Sequence, residues 1–218
     1  METAIGIQID IVFDPVCPWC YIGKRRLEQA FDLRPNIKVT PLWRPFLLNP
    51  EIPASGIDRT AYLIKKFGSE ARVSRVFGAI AEAGQSVEIG FAFDKIRRTP
   101  NTVNAHRLVR FAAPFGKAGD AVEALFHDYF VNGHDIGEID ALVALGGGLG
   151  FDAATLHGYL KSNENVDLVY EENARAHRLG INGVPAFVFN DTLAISGAQE
   201  PCVLARILDA AKETEDAA

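Results

Sequence analysis

The sequence predicts an α/β fold in which a β-α-β unit and a later α-β-β-α unit are separated by a long helical segment. Three observations predict it. An apolar, β-branched run, Ile5 to Phe13, stands near the start of the chain. From about Pro45 to Asn165 strand-like patterns nearly vanish and helical spacing replaces them. Strand character returns at Ala186 to Phe189, close to the other end.

The first unit is predicted to pair two parallel strands through a helix. Ile5 to Phe13 is typical of a buried strand, and the segment from Tyr21 to Leu33 is compatible with a helix. A turn at Arg34 to Asn36 then leads into a second strand, Ile37 to Trp43. Pro41 inside that strand indicates an edge position or a bulge, because proline cannot donate to a sheet hydrogen bond.

Capping residues and helical spacing predict several helices in the middle segment. Their expected positions are Asp58 to Phe67, Ser69 to Ala83, Asn101 or Thr102 to Ala113, a helix capped by Asp120, Gly137 to Leu145, and Asp152 to Leu160. The glycine-rich stretch Leu145 to Gly150 resembles a dinucleotide-binding loop only loosely, because it follows a helix rather than a strand. We interpret it as a helix stop and linker.

The last unit is predicted to be a helix, a β-hairpin and a final helix. Asn190 and Asp191 form the expected turn, Thr192 to Ile195 the returning strand, and Glu200 and Pro201 the start of the last helix, which reaches about Ala211. The predicted domain division is residues 1–45 and 166–218 for the two parts of one domain and 46–165 for a helical insertion. This order is that of a thioredoxin-like fold interrupted by a large all-helical insertion.

Cys17-Pro18-Trp19-Cys20 lies at the junction of the first strand and the first helix, where a thioredoxin-like redox site belongs. Residues three apart lie on one face of a helix, so the two sulfurs can approach bonding distance. Pro18 suits the first helical position, and Trp19 is free to tune the site. The helix start favours a thiolate at Cys17. The helical pattern predicts that Cys17 is exposed and Cys20 buried.

Three other interpretations of the Cys17–Cys20 pair compete with a redox dithiol. A zinc site requires four ligands, and the chain has one further cysteine, Cys202, and histidines without metal-ligand spacing. A structural disulfide closing so small a loop stabilises little, about 2 kcal/mol. Two inert core thiols do not explain Pro18 and Trp19 at a helix start. The redox dithiol is favoured, with no bound metal.

Gly183-Val184-Pro185 precedes the returning strand and is expected at the same end of the sheet as Cys17. In thioredoxin-like proteins a cis-proline faces the dithiol at this point, so we predict a cis Pro185; a trans proline at a strand start is the alternative. The extended backbone at Val184 is suited to pair with a bound peptide or glutathione backbone.

The loop Ser196 to Gln199 ends the last strand at the same edge. We predict that Ser196, Ala198 and Gln199 contact substrate near the N-terminus of the final helix, with a simple turn and helix cap as the alternative.

Three further residues are candidates for the site. Asn101 and His106 are candidates to line a cleft between the two domains, although the sequence favours a solvated or core histidine. Cys202 lies in the first turn of the last helix and is a candidate auxiliary thiol, or else a packed cysteine.

Composition and charge exclude several classes of protein. The chain has 218 residues, and its net charge of −6 argues against nucleic acid as a partner. No signal peptide is recognisable after Met1, and no apolar run is long enough to cross a membrane. We therefore predict a cytoplasmic protein, a compartment in which a C-x-x-C pair is usually catalytic or redox-sensing. The oligomeric state is not indicated.

Together these residues resemble the DsbA-like oxidoreductases, and the nearest branch is the FrnE-like polyketide-biosynthesis dithiol–disulfide isomerases. The segments that carry the resemblance are Asp14 to Lys24, Asn101 to Arg107, Leu125 and Phe126 with Tyr129 and Phe130, Gly180 to Phe187, and Ser196 to Gln199. The resemblance implies Cys17 as the attacking thiol, Cys20 as the resolving thiol and Pro185 as the cis-proline. Trp19 replaces the histidine of the periplasmic enzymes, so their strongly oxidising potential does not carry over.

The first functional hypothesis is a thiol–disulfide oxidoreductase or isomerase that exchanges disulfides through a mixed disulfide on Cys17 and carries no cofactor besides its redox-active disulfide. The second is a glutathione-dependent transferase or isomerase of the kappa-class or hydroxychromene-carboxylate isomerase type, with glutathione as co-substrate. Those relatives typically carry serine at the position of Cys17, which favours the first hypothesis. The third is a redox-sensing module without turnover.

Overall fold

The structure is a computed structural model that describes residues 6–216. Its strands are β1 (Ile7–Phe13), β2 (Val39–Pro45), β3 (Ile57–Asp58), β4 (Arg98–Thr99), β5 (Ala186–Phe189) and β6 (Leu193–Ser196). Its α-helices are α1 (Pro18–Asp32), α2 (Arg59–Phe67), α3 (Glu70–Gln85), α4 (Val103–Ala112), α5 (Ala118–His127), α6 (Ile139–Gly148), α7 (Ala153–Lys161), α8 (Val166–Arg178) and α9 (Pro201–Asp216). Among these helices none is both long and apolar enough to span a membrane.

A four-stranded mixed sheet in the order β2-β1-β5-β6 confirms the predicted α/β, thioredoxin-like fold. β1 and β2 are parallel, and β5 is antiparallel to both β1 and β6. β2 is an edge strand, which is where the sequence places a strand containing Pro41. The strand begins two residues later than predicted, at Val39. Ile5, the predicted first residue of β1, lies outside the described residues.

The hairpin and several helix starts follow the predicted capping pattern. Asn190 and Asp191 both have positive φ angles, as a tight hairpin turn requires. The side chains of Asp58, Ser69 and Asp152 each accept a hydrogen bond from a backbone N–H in the first turn of the following helix.

Two predictions about the middle helices are wrong. α5 starts at Ala118, so Asp120 lies inside its first turn instead of capping it. An acidic side chain is favourable in either position, and the sequence alone does not separate them. Gly146 to Gly148 form the last turn of α6 rather than a linker. Gly146 is needed there because a Cβ would lie 2.1 Å from Leu156 Cδ2 on α7, so its absence lets the two helices approach closely.

Two main hydrophobic clusters hold the molecule together. One lies between the sheet and α1 and α9, and it includes Ile9, Leu27, Phe187 and Leu204. The other joins the first turns of α1 to helices from the middle segment. Both cysteines of α1 belong to this second cluster. The redox motif therefore lies where the helical segment meets the thioredoxin-like part.

Candidate active site

A tight turn after β1 positions the cysteine motif at the start of α1. The backbone N–H of Cys17 donates to the Asp14 carbonyl at 2.9 Å, and that of Cys20 donates to the Cys17 carbonyl at 3.0 Å. Cys17 is the N-cap residue and Pro18 occupies the first helical position, where no donor is needed. The first turn of the helix therefore presents both thiols on one side.

Cys17 is buried, with 5 % of its surface exposed, so the prediction of an exposed Cys17 is wrong. The reason is a tertiary contact: the thiol lies in a cavity whose wall includes residues of α2 and α3. Leu48, Trp19 and Val184 also line this cavity. The Cys17 thiol donates to the Val184 carbonyl oxygen at 3.6 Å. Trp19 is 39 % exposed at the edge of this cavity. Access to Cys17 is therefore through the cavity rather than across an open surface.

Cys20 is buried as predicted and does not line the cavity. Burial raises the pKa of the Cys20 thiol well above its usual value, and a hydrogen bond that this thiol donates to Cys17 raises the pKa further. Cys20 therefore stays protonated while Cys17 faces the space where a substrate enters. The structure assigns the two thiols different surroundings, one facing a cavity and the other sealed in the core.

The peptide bond between Val184 and Pro185 is cis, and Pro185 packs against α1. Gly23 makes this contact close: a Cβ at this position would lie 2.8 Å from Pro185 Cγ and 3.3 Å from Phe187 Cζ. The missing side chain lets the helix that carries the cysteines lie directly on the segment that carries Val184. Gly23 thus sets the distance between the two halves of the site.

Replacing Gly23 with alanine is expected to destabilise the protein by about 1–2 kcal/mol and to slow disulfide exchange. Overpacking costs about 1–3 kcal/mol, and the better helix propensity of alanine returns up to about 1 kcal/mol. Gly78→Ala on α3 is the matched control, because nothing lies within 4 Å of a Cβ there. The control should gain stability by about 0.5–1 kcal/mol in urea unfolding. Equal effects of both substitutions on stability would contradict the close contact.

The cavity beside Cys17 has a volume of about 320 Å³, near the lower end of the ~300–1,000 Å³ typical of small-molecule sites. Apolar side chains of α2 and α3, including Leu63, Phe77 and Ile80, form one wall. Arg59 and Lys66 are the charged residues that line it. No acidic side chain is among the lining residues that the structure describes.

The loop from Ser196 to Gln199 supports the site from outside the cavity. The Gly197 N–H donates to the Pro185 carbonyl at 2.8 Å, and the Ala198 carbonyl accepts from Arg26 on α1 at 2.6 Å. Gln199 folds back onto the Ser196 carbonyl at 2.7 Å. These hydrogen bonds attach the loop to Pro185 and α1. None of Ser196, Ala198 and Gln199 lines the cavity, and substrate contact by these residues stays a prediction.

The structure does not bring Asn101 or His106 to the cavity of Cys17. Asn101 donates to the Ile52 carbonyl at 2.7 Å and accepts from the Val103 N–H at 3.0 Å, which ties a loop to the start of α4. His106 is buried against Phe13 with its Nε2 3.2 Å from the Phe46 carbonyl oxygen. It lines a different cavity, between β2 and α4. His106 is therefore buried, as the core interpretation predicts, and it also lines a cleft between β2 and the helical segment, as the other interpretation predicts; Asn101 does not line that cleft.

Burial lowers the pKa of His106 to about 3, from 6.5. The unfolded chain takes up a proton near pH 6.5 and the folded one only near pH 3, so lowering the pH through this range favours unfolding. We expect His106→Gln to remove this component, which is worth about 3 kcal/mol at pH 4, because pH 4 lies about 2.5 units below the unfolded pKa and each unit is worth about 1.4 kcal/mol. Urea unfolding of the wild-type protein and the variant from pH 4 to 7 measures this component. If the free energy of unfolding depends on pH equally in both proteins, the prediction is wrong.

Cys202 is exposed on the first turn of α9 and is not among the residues that line the cavity of Cys17. Its role as an auxiliary thiol remains a prediction. Among the described residues no cluster of three or more histidine, cysteine, aspartate or glutamate side chains is arranged to hold a metal ion.

Sequence reasoning did not single out four polar residues near Cys17: Asp14, Arg59, Lys66 and Thr99. Asp14 is buried, and its carboxylate accepts from the Val16 and Leu48 N–H groups. Burial raises the pKa of Asp14 to about 6, although these hydrogen bonds oppose the shift. Because Asp14 stands three residues before Cys17, the sequence alone could have indicated that it lies near the thiol. Arg59 and Thr99 come from α2 and β4, and only the folded chain brings them to the cavity.

A family model described as "DSBA-like thioredoxin domain" matches residues 8–209. A probable DsbA oxidoreductase from Streptomyces coelicolor is 26 % identical, with a TM-score of 0.86 over 95 % of this chain and 90 % of that one. A 2-hydroxychromene-2-carboxylate isomerase is 16 % identical, with a TM-score of 0.70 over 97 % and 99 % of the two chains. The cytosolic disulfide reductase DsbM from Pseudomonas aeruginosa, solved with glutathione, is 18 % identical, with a TM-score of 0.61 over 93 % and 98 %.

Proposed function

Because the chain belongs to the DSBA-like thioredoxin domain family, we propose that it catalyses thiol–disulfide exchange with Cys17 as the attacking thiol and Cys20 as the resolving thiol. The observation that carries the proposal is the unequal placement of the two thiols. Cys17 lines a cavity, while Cys20 lies sealed behind it with a raised pKa. A nucleophile needs access to substrate, and a resolving thiol needs access only to the nucleophile.

The exchange proceeds in two balanced steps. The Cys17 thiolate attacks one sulfur of a substrate disulfide, forms a mixed disulfide and releases the other half as a thiolate. Cys20 then loses its proton and attacks the Cys17 sulfur, which releases the second half and leaves the Cys17–Cys20 disulfide. Two equivalents of an external thiol return the dithiol. The protein needs no bound cofactor for either step.

The segment before Pro185 is suited to hold the substrate during these steps. Val184 is half-buried at the cavity, and its carbonyl oxygen already accepts from the Cys17 thiol. An extended backbone at this point can pair with the backbone next to a substrate sulfur. Trp19 and Pro18 line the same cavity and complete the surface that a substrate meets.

Reduction of a disulfide substrate by catalytic amounts of protein tests the proposal. Insulin and a small aliphatic disulfide serve as substrates, with excess dithiothreitol as the reductant. We expect multiple turnovers by the wild-type protein above the uncatalysed rate. No acceleration with either substrate would contradict an exchange catalyst and favour a redox sensor without turnover.

One observation favours a second candidate function, a glutathione-dependent isomerase or transferase acting on a small molecule. The chain has the fold of a 2-hydroxychromene-2-carboxylate isomerase over nearly its whole length. In that case glutathione would act as a co-substrate, and Cys20 would be dispensable. Turnover of a hydroxychromene carboxylate that survives Cys20→Ser would support this candidate over the first.

The FrnE-like branch and a cytoplasmic location also belong to the proposal. The cytosolic reductase DsbM among the structural neighbours supports the location.

A further inference from the structure

Arg59 is a buried cation that faces the cavity of Cys17. It is the first residue of α2, it is 7 % exposed, and it lines the cavity. Its guanidinium lies 5.1 Å from the ring centroid of Phe77, and one NH1 hydrogen donates to the Tyr129 hydroxyl at 3.1 Å. A guanidinium has five N–H donors, so most of its donor capacity is not used by that hydroxyl.

Arg59 has no anionic partner within residues 6–214, whose side chains the structure describes. No carboxylate forms an ion pair with it there. Asp58, its neighbour, caps α2 by accepting from the Ala61 N–H. Burial raises the pKa of Tyr129 to about 12, so its hydroxyl is neutral. Arg59 also lies at the N-terminus of α2, where the unpaired backbone N–H groups create a positive potential. That potential disfavours a cation, so the helix does not compensate the charge of Arg59.

Arg107 shows how this fold satisfies a buried arginine when no ligand is involved. It is more deeply buried than Arg59, and each of its five N–H groups has an oxygen partner in the protein. Arg59 lacks such a set. No nitrogen of Arg59 is both unpaired and sealed from solvent, so its remaining N–H groups are open to an anion that enters the cavity.

Thr99 is the second, independent observation. It lines the same cavity, is 3 % exposed, and its Oγ1 has no hydrogen-bond partner in the described part of the chain. Buried hydroxyls are almost always paired, so this one, which lies just beneath the cavity wall, has the capacity to pair with a ligand atom once the side chain rotates toward the cavity. Lys66 lines the cavity as well, donates to the Tyr62 hydroxyl at 3.1 Å and makes no ion pair with the described residues.

We infer that Arg59 and Thr99 form an anion subsite in the cavity of Cys17, which binds a carboxylate of a low-molecular-weight disulfide while Cys17 attacks its sulfur. The apolar wall formed by α2 and α3 accommodates the aliphatic part of such a molecule. The inference rests on the proposed function and names its substrate class: small carboxylate-bearing disulfides rather than disulfides within folded proteins. The electrons come from the Cys17–Cys20 dithiol, and each turnover yields two small thiols and the protein disulfide.

Single-turnover oxidation of the reduced protein by two matched probes tests the inference. The probes are 3,3′-dithiodipropionate, a dianion, and bis(2-hydroxyethyl) disulfide, which is neutral. Loss of free thiol in the protein is followed by quenched alkylation and mass spectrometry. The net charge of −6 repels a dianion at long range, so a faster reaction of the dianion must come from a local cationic site. We expect the wild-type protein to react with the dianion at least about tenfold faster after correction for the uncatalysed rates.

Arg59→Met is expected to remove this preference by slowing the dianion about 10- to 100-fold, which is the range for a lost hydrogen bond to a charged group. The rate with the neutral probe should change less than threefold. Thr99→Val keeps the side-chain shape and should slow the dianion by about 3- to 10-fold. Arg75→Met is the matched control, because Arg75 is exposed on α3 and makes no hydrogen bond or ion pair with the described residues.

The outcomes separate the two proposals. If the wild-type protein reacts with neither probe, the proposed function fails. If it reacts with both probes at equal corrected rates, or if Thr99→Val and a folded Arg59→Met slow both probes equally, exchange stands and the anion subsite is wrong. If Arg59→Met does not fold, the probe preference of the wild-type protein and the Thr99→Val variant still decide the inference.

Discussion

Replacing Cys17 with serine is expected to lower the rate of disulfide reduction at least about a thousandfold, because loss of the nucleophile in a covalent mechanism costs that much or more. Cys17 is the thiol of the dithiol that lines the cavity, and Cys20 has no route to a substrate of its own. Oxidation of the reduced protein by bis(2-hydroxyethyl) disulfide, followed as loss of free thiol, measures the change in rate. Cys202→Ser is the control, since Cys202 is exposed and does not line this cavity. We expect the control to keep the wild-type rate.

Cys20→Ser should instead trap the reaction at its intermediate. The first attack still takes place, but no thiol is then available to release the substrate half from Cys17. Mass spectrometry of this variant after mixing with a small disulfide should show one adduct, mapped to Cys17. Near-wild-type turnover by Cys17→Ser, or an adduct mapped to Cys202 alone, would contradict the roles assigned here.

Arg107→Met is expected to lower the free energy of unfolding by at least about 3 kcal/mol. Arg107 is 1 % exposed at the centre of α4, and its guanidinium lies 4.7 Å from the ring centroid of Tyr159. It donates to the carbonyl oxygens of Tyr159, Leu160, Ser162 and Glu164 and to Asn104 Oδ1, at distances of 2.5 to 3.0 Å. Each buried carbonyl that loses its donor costs about 1–3 kcal/mol, although those nearest the surface regain water.

The effect of Arg107→Met should appear as a lower urea midpoint at an unchanged m-value. Arg178→Met on α8 is the matched control, because Arg178 is exposed and makes no hydrogen bond or ion pair with the described residues. The control should change stability by less than about 0.5 kcal/mol. A loss as small for Arg107→Met as for Arg178→Met would show that the loop from α7 to α8 does not depend on this side chain.

Features encoded locally were predictable from the sequence. The strand before Cys17, the helix start at Pro18 and the hairpin turn at Asn190 each follow from the conformations that those residues allow. The edge position of β2 follows from Pro41 in the same way. The burial of Cys20 follows from the helical period of α1.

Features that depend on the helical segment were not predictable in this way. Cys17 is buried because α2 and α3 meet the thioredoxin-like part above it, and helical period within α1 carries no information about that contact. Arg59 and Thr99 are 40 residues apart in the chain, and the pairing of β3 with β4 brings both to the cavity wall. His106 turned out to be a core residue because α4 directs it at Phe46, which no pattern of spacing reveals.

The central claim is that Cys17 and Cys20 form a reversible disulfide that passes through a mixed disulfide on Cys17. An equilibrium titration of the protein against mixtures of reduced and oxidised glutathione, quenched with acid and mapped by mass spectrometry, tests it most directly. We predict one two-electron transition from the dithiol to a Cys17–Cys20 disulfide, with Cys202 outside this bond throughout. A protein that accumulates glutathione on Cys17 while Cys20 stays a free thiol across the whole range would contradict the claim.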